Sequence, residues 1–151
     1  MPIDRSTLLS GFSNRFTQLS RVWRQEADAD LAPLGLSYAT ARTLLAVHSL
    51  GRAPRQTTLA AELAIEGPSL VRLLDQLCAI GMLTRSDDPT DRRAKTISLT
   101  AEGTALVAKA EVALESLRAR LTSGVEEHDL ETALRVLNSI AATIERREGA
   151  L

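Results

Sequence analysis

The sequence predicts a mainly α-helical protein that carries one small β-hairpin. Apolar residues recur at three- and four-residue steps over most of the 151 residues, the period of helices with one buried face. Between Gly81 and Thr100 the period drops to two, in stretches 82–86 and 95–99 built from strand-favouring types. Gly51, Pro54, Gly67, Gly81 and Gly124 fall at breaks between the periodic segments, so several boundaries are legible.

Leu8, Leu9, Phe12, Phe16, Leu19, Val22, Trp23, Ala27 and Leu31 make a long first helix that ends near Leu34 and Gly35. Ser37 is suited to cap a second helix over 38–50, which Gly51 stops. Pro54 interrupts. Thr57 or Thr58 is expected to cap a short third helix holding Leu59, Ala60 and Leu63. Ile65, Glu66 and Gly67 read as a tight turn, with Pro68 in the first position of a fourth helix. Leu70, Val71, Leu74, Leu77 and Cys78 form its apolar arc, and Gly81 ends it. The two strands enclose a charged turn over 87–94. Thr100 caps a fifth helix with Glu102 in its first turn, and Leu106, Ala110, Leu114, Leu117 and Leu121 share one side. Ser123 and Gly124 break it. Glu126, Glu127 and Asp129 open a sixth helix with Leu130, Leu134, Leu137, Ala141 and Ile144 on one face.

Composition excludes several functions. Four aromatic residues are too few for a base-stacking platform of the kind single-strand binders use. A single cysteine, Cys78, excludes an internal disulfide framework and a four-cysteine zinc site, and its place on the apolar arc reads as a buried thiol rather than a redox switch. No apolar run reaches the roughly 18–20 residues that span a bilayer, and the N-terminal stretch lacks the apolar core of a signal peptide, so a cytoplasmic protein is expected. No nucleophile elbow, zinc-protease or phosphate-loop pattern occurs, and His48 and His128 lie far apart, so neither an enzyme nor a cofactor or metal is expected. Net charge is −1, but it is unevenly spread: 0 over residues 1–36, +2 over 37–100 and −3 over 101–151.

The segment 58–80 matches a helix-turn-helix, and the hairpin after it is a wing. On the fourth helix Ser69, Arg72 and Gln76 lie opposite the apolar arc. Those types read base edges: Arg pairs with guanine, Gln with adenine and Ser with either. Leu73 borders the same face, where it can meet a thymine methyl. An ordinary solvated face is the alternative. At the wing tip, Asp91 and Arg93 are two apart, so in an extended ribbon they share a face and can pair. An arginine held in that way suits a minor groove, whose negative potential attracts it. Here the alternative is a solvated charged turn.

These residues resemble the MarR family of winged helix-turn-helix transcriptional regulators, and most closely its SlyA-type branch. The resemblance rests on the run Ile65, Glu66, Gly67, Pro68, Ser69, Leu70, Val71, Arg72, followed by Leu74, Asp75, Gln76, Leu77. It continues through Gly81, Met82, Leu83, Thr84, Arg85, the wing with Asp91, Arg92, Arg93, Ala94, Lys95, and Leu99, Thr100, Ala101, Glu102, Gly103. Upstream, Arg21, Val22, Trp23, Arg24 and the stretch 31–36 also fit. Leu73 departs from the pattern, where a small polar residue is common.

The resemblance implies one domain over 1–151, with a winged lobe at 37–100 and dimerisation helices at 1–36 and 101–151. It implies an obligate homodimer on a pseudo-palindromic duplex, with Arg72 in the major groove and Arg92 or Arg93 in the minor groove. Arg85 and Lys95 complete the expected DNA-binding set. The residues themselves also point to a dimer, because the first and sixth helices carry apolar stripes too long for a lone lobe to cover; the alternative is that they cover each other within one chain. The resemblance further implies control by a small aromatic carboxylate in a crevice beside the dimer helices. Arg21, Arg24 and Arg42 can hold a carboxylate bidentately, with Trp23 or Tyr38 as an apolar wall. His48 either lines that pocket or caps local carbonyls, and Arg24 can instead pair with Asp28 one turn on. A protein-interaction adaptor that binds no DNA is the competing function.

Overall fold

A computed structural model describes residues 4–148, and the side chains of residues 4–146. The order is α1 (Arg5–Leu31), a 3-10 turn (Ala32–Leu34), α2 (Tyr38–Leu50), α3 (Gln56–Leu63), α4 (Gly67–Ala79), β1 (Leu83–Asp87), β2 (Lys95–Leu99), α5 (Ala101–Leu121) and α6 (Glu127–Glu148). The fold is mainly helical with one antiparallel hairpin, as the periodicity predicts. The chain divides into two compact units, one running to Leu117 and one beginning at Arg118. Among the described residues, no helix is long and apolar enough to cross a membrane.

The first unit has one continuous core. Leu31, Leu44, Leu59, Leu70, Leu74, Leu77 and Ile97 are fully buried there, joined by Leu83, Val107, Ala110, Leu114 and Leu117. Helices α2 to α4 contribute the face their apolar spacing marks, whereas on α5 Val107 joins Ala110, Leu114 and Leu117 in the core, Leu106 is half-buried and Leu121 is exposed. Val71 departs from the expected arc of α4: it is exposed, while Leu70, Leu74 and Leu77 alone carry the buried stripe. Cys78 is half-buried against the core edge.

The caps explain where the elements start. Ser37 accepts from the Thr40 N–H while Thr40 Oγ1 accepts from the Ser37 N–H, a reciprocal box that fixes the first turn of α2. The Asp28 carboxylate accepts from the Tyr38 N–H at 2.6 Å, so the end of α1 also serves α2. Thr100 Oγ1 accepts from the Gly103 N–H at 2.9 Å and opens α5. The expectation for α3 needs correction. Neither Thr57 nor Thr58 caps it; the cap position is Arg55, whose side chain makes no capping bond. The chain enters α3 from an extended segment instead. Arg55 bridges Thr96, and the Ile97 N–H donates to the Pro54 carbonyl at 3.0 Å, so β2 fixes the start of the helix. The reversal between α3 and α4 also moves. Ala64 takes the left-handed conformation (φ 51°), while Gly67 already belongs to α4 and Pro68 sits in its first turn.

Some apolar surface stays uncovered. On α1, Leu8, Leu9, Phe12, Phe16 and Leu19 are each about half exposed. On α6, Leu134, Val136, Leu137, Ile140 and Ile144 are exposed, and none of its described side chains is buried.

Candidate nucleic-acid interface

The interface begins with the two-sidedness of α4. Its core stripe leaves Ser69, Arg72 and Gln76 exposed and Leu73 half-buried at the border. Gln76 stands at one edge of that face, where it shares a shallow cleft of about 310 Å3 with Gly35, Ser37, Thr40 and Ile80. Arg72 engages no acid among the described residues, so its guanidinium is available to a ligand.

Arg85 behaves differently from the expectation that it faces DNA. Its Nη1 lies 2.5 Å from Asp75 Oδ1, and its Nη2 donates to the Val71 carbonyl at 3.2 Å. The side chain is turned from β1 onto α4. There it fixes wing against helix rather than reaching outwards.

The wing is a ladder from Leu83↔Leu99 to Asp87↔Lys95, and the last pair carries an ion pair between Lys95 Nζ and the Asp87 carboxylate. Beyond it the tip is a turn, not an extended ribbon. The Ala94 N–H donates to the Asp91 carbonyl at 2.9 Å, which places Arg92 and Arg93 at the two central positions. This corrects the expected Asp91–Arg93 side-chain pair. The Asp91 carboxylate accepts from the backbone N–H of Arg93 at 3.0 Å, and the guanidinium stays free among the described residues. Asp91 thus shapes the turn that displays both arginines.

A group that sequence reasoning passed over anchors the tip. Asp88 is only 7% exposed. Its Oδ1 accepts from the Thr90 N–H at 2.7 Å, the Thr90 hydroxyl at 2.6 Å and the Asp91 N–H at 3.2 Å. Its Oδ2 accepts from Arg55 Nε at 2.7 Å, and Arg55 Nη2 donates to Thr90 Oγ1 at 3.1 Å. The Thr90 hydroxyl first, then Arg55, holds the Asp88 carboxyl well below the usual carboxylate range, and the bond to Asp88 raises Arg55. The spacing of Asp88 and Thr90 was the available signal, since an aspartate commonly accepts from the backbone two residues on. Its partner 33 residues upstream left none.

A second cleft lies between α1, α2 and the α3–α4 connection. It encloses about 480 Å3, bounded by Arg24, Asp28, Tyr38, Arg42, Ala64 and Ile65 among others. Arg42 stands over the Tyr38 ring, 5.9 Å from its centroid. Of the residues expected to hold an effector, the structure brings together Tyr38 and Arg42, with Arg24 beside them. Arg21 and His48 are exposed away from this lining, and Trp23 is half-buried against the core. The alternative Arg24–Asp28 pair does not form; Asp28 accepts from the Tyr38 N–H.

A model of the MarR family matches residues 34–94. The crystal structure of the transcriptional regulator PA3341 is 37% identical, covers 89% of this chain and 98% of its own, and superposes with a TM-score of 0.76. Staphylococcus aureus MepR, crystallised with DNA, is 25% identical, covers 87% of this chain and 97% of its own, and has a TM-score of 0.82. CouR from Rhodococcus jostii RHA1, crystallised with p-coumaroyl-CoA, is 23% identical, covers 92% of each chain and has a TM-score of 0.73, a likeness of fold.

Proposed function

This chain belongs to the MarR family of winged helix-turn-helix transcriptional regulators, and on that premise we propose that it binds a pseudo-palindromic DNA duplex as a homodimer and releases it to a small aromatic carboxylate. One observation carries the reading. A single lobe offers two separate sets of free polar groups, Ser69, Arg72 and Gln76 on α4 and Arg92 and Arg93 on the wing turn. A helix with that face fits a major groove, and a thin cationic turn fits the adjacent minor groove. Lys95 stands at the tip end of the wing ladder, paired with Asp87, and Asp91 and Arg85 hold the two readers in place.

Dimerisation is supported by the uncovered apolar residues of α1 and α6. Leaving that much Leu, Phe and Ile in water opposes solubility, and covering it contributes about 25 cal/mol per Å2. A twofold pair must then hold its α4 helices about 34–36 Å apart to enter successive major grooves.

The effector reading rests on the cleft at Arg24, Tyr38 and Arg42. Two guanidinium groups suit a carboxylate and the Tyr38 ring suits a flat apolar body. Ala64 and Ile65 form part of the same wall and lead directly into α4, so a ligand there acts on the reading helix. Any ligand that prefers the lobe in a mispositioned state shifts the population away from DNA.

Selection of bound sites from random duplexes tests the first half, and a protein adaptor would enrich none. Titrating salicylate, benzoate and the uncharged salicylamide against the selected duplex tests the second. Millimolar acid is expected to lower affinity about tenfold, or ~1.4 kcal/mol of coupling, with the amide inert. Arg42→Ala or Arg24→Ala should blunt that response and leave ligand-free binding intact, while Arg21→Ala should change neither.

A further inference from the structure

We propose that Arg55 is a positioning residue for the wing: through Asp88 and Thr90 it locks the tip that carries Arg92 and Arg93 to the start of α3. The inference rests on the reading that the wing binds DNA, and it assigns that task to a residue outside both reading elements.

The geometry is a continuous chain of bonds. The backbone of Arg55 is bridged to Thr96 of β2, which fixes where its side chain begins. Its guanidinium spans Asp88 and Thr90 at 2.7 and 3.1 Å. Asp88 passes the constraint on, because its other oxygen accepts from Thr90 and from the Asp91 N–H. Asp91 is the first residue of the turn that displays the two arginines.

The lock lies beyond the last ladder pair, Asp87↔Lys95. The hairpin therefore has its own hydrogen bonds and its buried Leu83 and Ile97 without it. What the lock adds is confinement of the tip. Without it the tip samples many conformations, and binding must then order it at an entropic cost. Both carboxylate oxygens accept from these donors and the residue is buried, so Asp88 is a hub rather than a charge left facing DNA.

Direct contact between Arg55 and a DNA phosphate is the rival explanation, because Arg55 is partly exposed and shares a small cleft with Arg93 and Lys95. The two differ in sign at Asp88. If Arg55 touches phosphate, removing Asp88 frees it and deletes a repelling charge, so binding tightens. If Arg55 positions the tip, removing Asp88 weakens binding as removing Arg55 does.

The experiment measures affinity of the full chain for its selected duplex in five variants: Arg55→Ala, Asp88→Ala, the two combined, Arg92→Ala with Arg93→Ala, and Arg55→Ala in that tip-less background. Thermal unfolding of each is followed alongside. About a tenfold loss is expected for Arg55→Ala and for Asp88→Ala, with no further loss on combining them. In the tip-less background Arg55→Ala should cost less than twofold. Tighter or unchanged binding by Asp88→Ala, or an equal loss from Arg55→Ala with and without the tip arginines, overturns the proposal. If the tip-less protein binds as well as the parent, the wing reading itself fails, which the same series shows separately. Should Arg55→Ala not fold, Thr90→Ala at an exposed position replaces it in the same comparison.

Discussion

Arg85 and Asp75 meet at 2.5 Å, and through them the first strand of the wing is tied to the exposed side of α4. The tie joins the two elements proposed to enter different grooves. A change in the angle between them would misplace one reader whenever the other is seated.

Arg85 is therefore expected to act through geometry. Arg85→Ala should lower stability by about 1 kcal/mol, since the pair is partly exposed and screened. It should weaken duplex binding while leaving the slope of log affinity against log salt unchanged. A fall in that slope by about one unit would mean that Arg85 neutralises a phosphate.

Asp91 gives a second test by sign. Its carboxylate accepts the Arg93 N–H and so shapes the turn. Asp91→Ala removes a negative charge near DNA, yet weaker binding is expected, with Arg93→Ala weaker as well. Tighter binding by Asp91→Ala in a fluorescence anisotropy titration would show that it only repels the duplex.

Much of this was legible in the sequence, and the parts that were not share a cause. Ser37, Gly51, Leu70, Leu74, Leu77 and Thr100 act within one or two turns, so local spacing reveals them. Local spacing does not mark the start of α3, because Arg55 is fixed by β2, which lies 41 positions downstream at Thr96. The Arg85–Asp75 pair left no local signal because its two residues belong to different elements. The tip pairing of Asp91 with Arg93 failed because a closed turn replaces the extended ribbon that alternation assumes. Among the residues expected to hold an effector, Arg42 and Tyr38 lie one turn apart on α2 and line one cleft. Arg24 rather than Arg21 joins them because the rotation of α1 against α2 is set by packing, not by composition.

Gly103 tests the packing beneath the wing. A Cβ there would stand 2.1 Å from the Met82 carbonyl oxygen and 3.1 Å from Leu99 Cδ2. The obstacle is backbone, which cannot swing aside. Gly103→Ala should cost on the order of 2–3 kcal/mol and lower the melting temperature by several degrees. An unchanged melting temperature would mean that α5 moves freely against the hairpin.

Asp88 predicts a pH window. Its folded-state pKa lies well below the unfolded value of about 4, so the unfolded chain binds the proton first on acidification. The stability it contributes is fully present above pH ~4 and is lost as the pH falls further. The melting-temperature gap between the parent and Asp88→Asn should be constant from pH 5 to 8 and narrow below about 4. A gap that narrows between pH 5 and 8 instead would contradict the Thr90 and Arg55 bonds.

The central claim is that α4 reads bases in a duplex, and Arg72 tests it most directly. Affinity of the parent and Arg72→Ala should be measured on the selected duplex and on a random one over a range of salt. The parent is expected to lose affinity steeply with salt on both. Arg72→Ala should cost about 1–3 kcal/mol on the selected duplex, relax preference at one position per half-site, and cost much less on the random one. Equal losses on the two duplexes, or no duplex binding by the parent at low salt, would contradict the account.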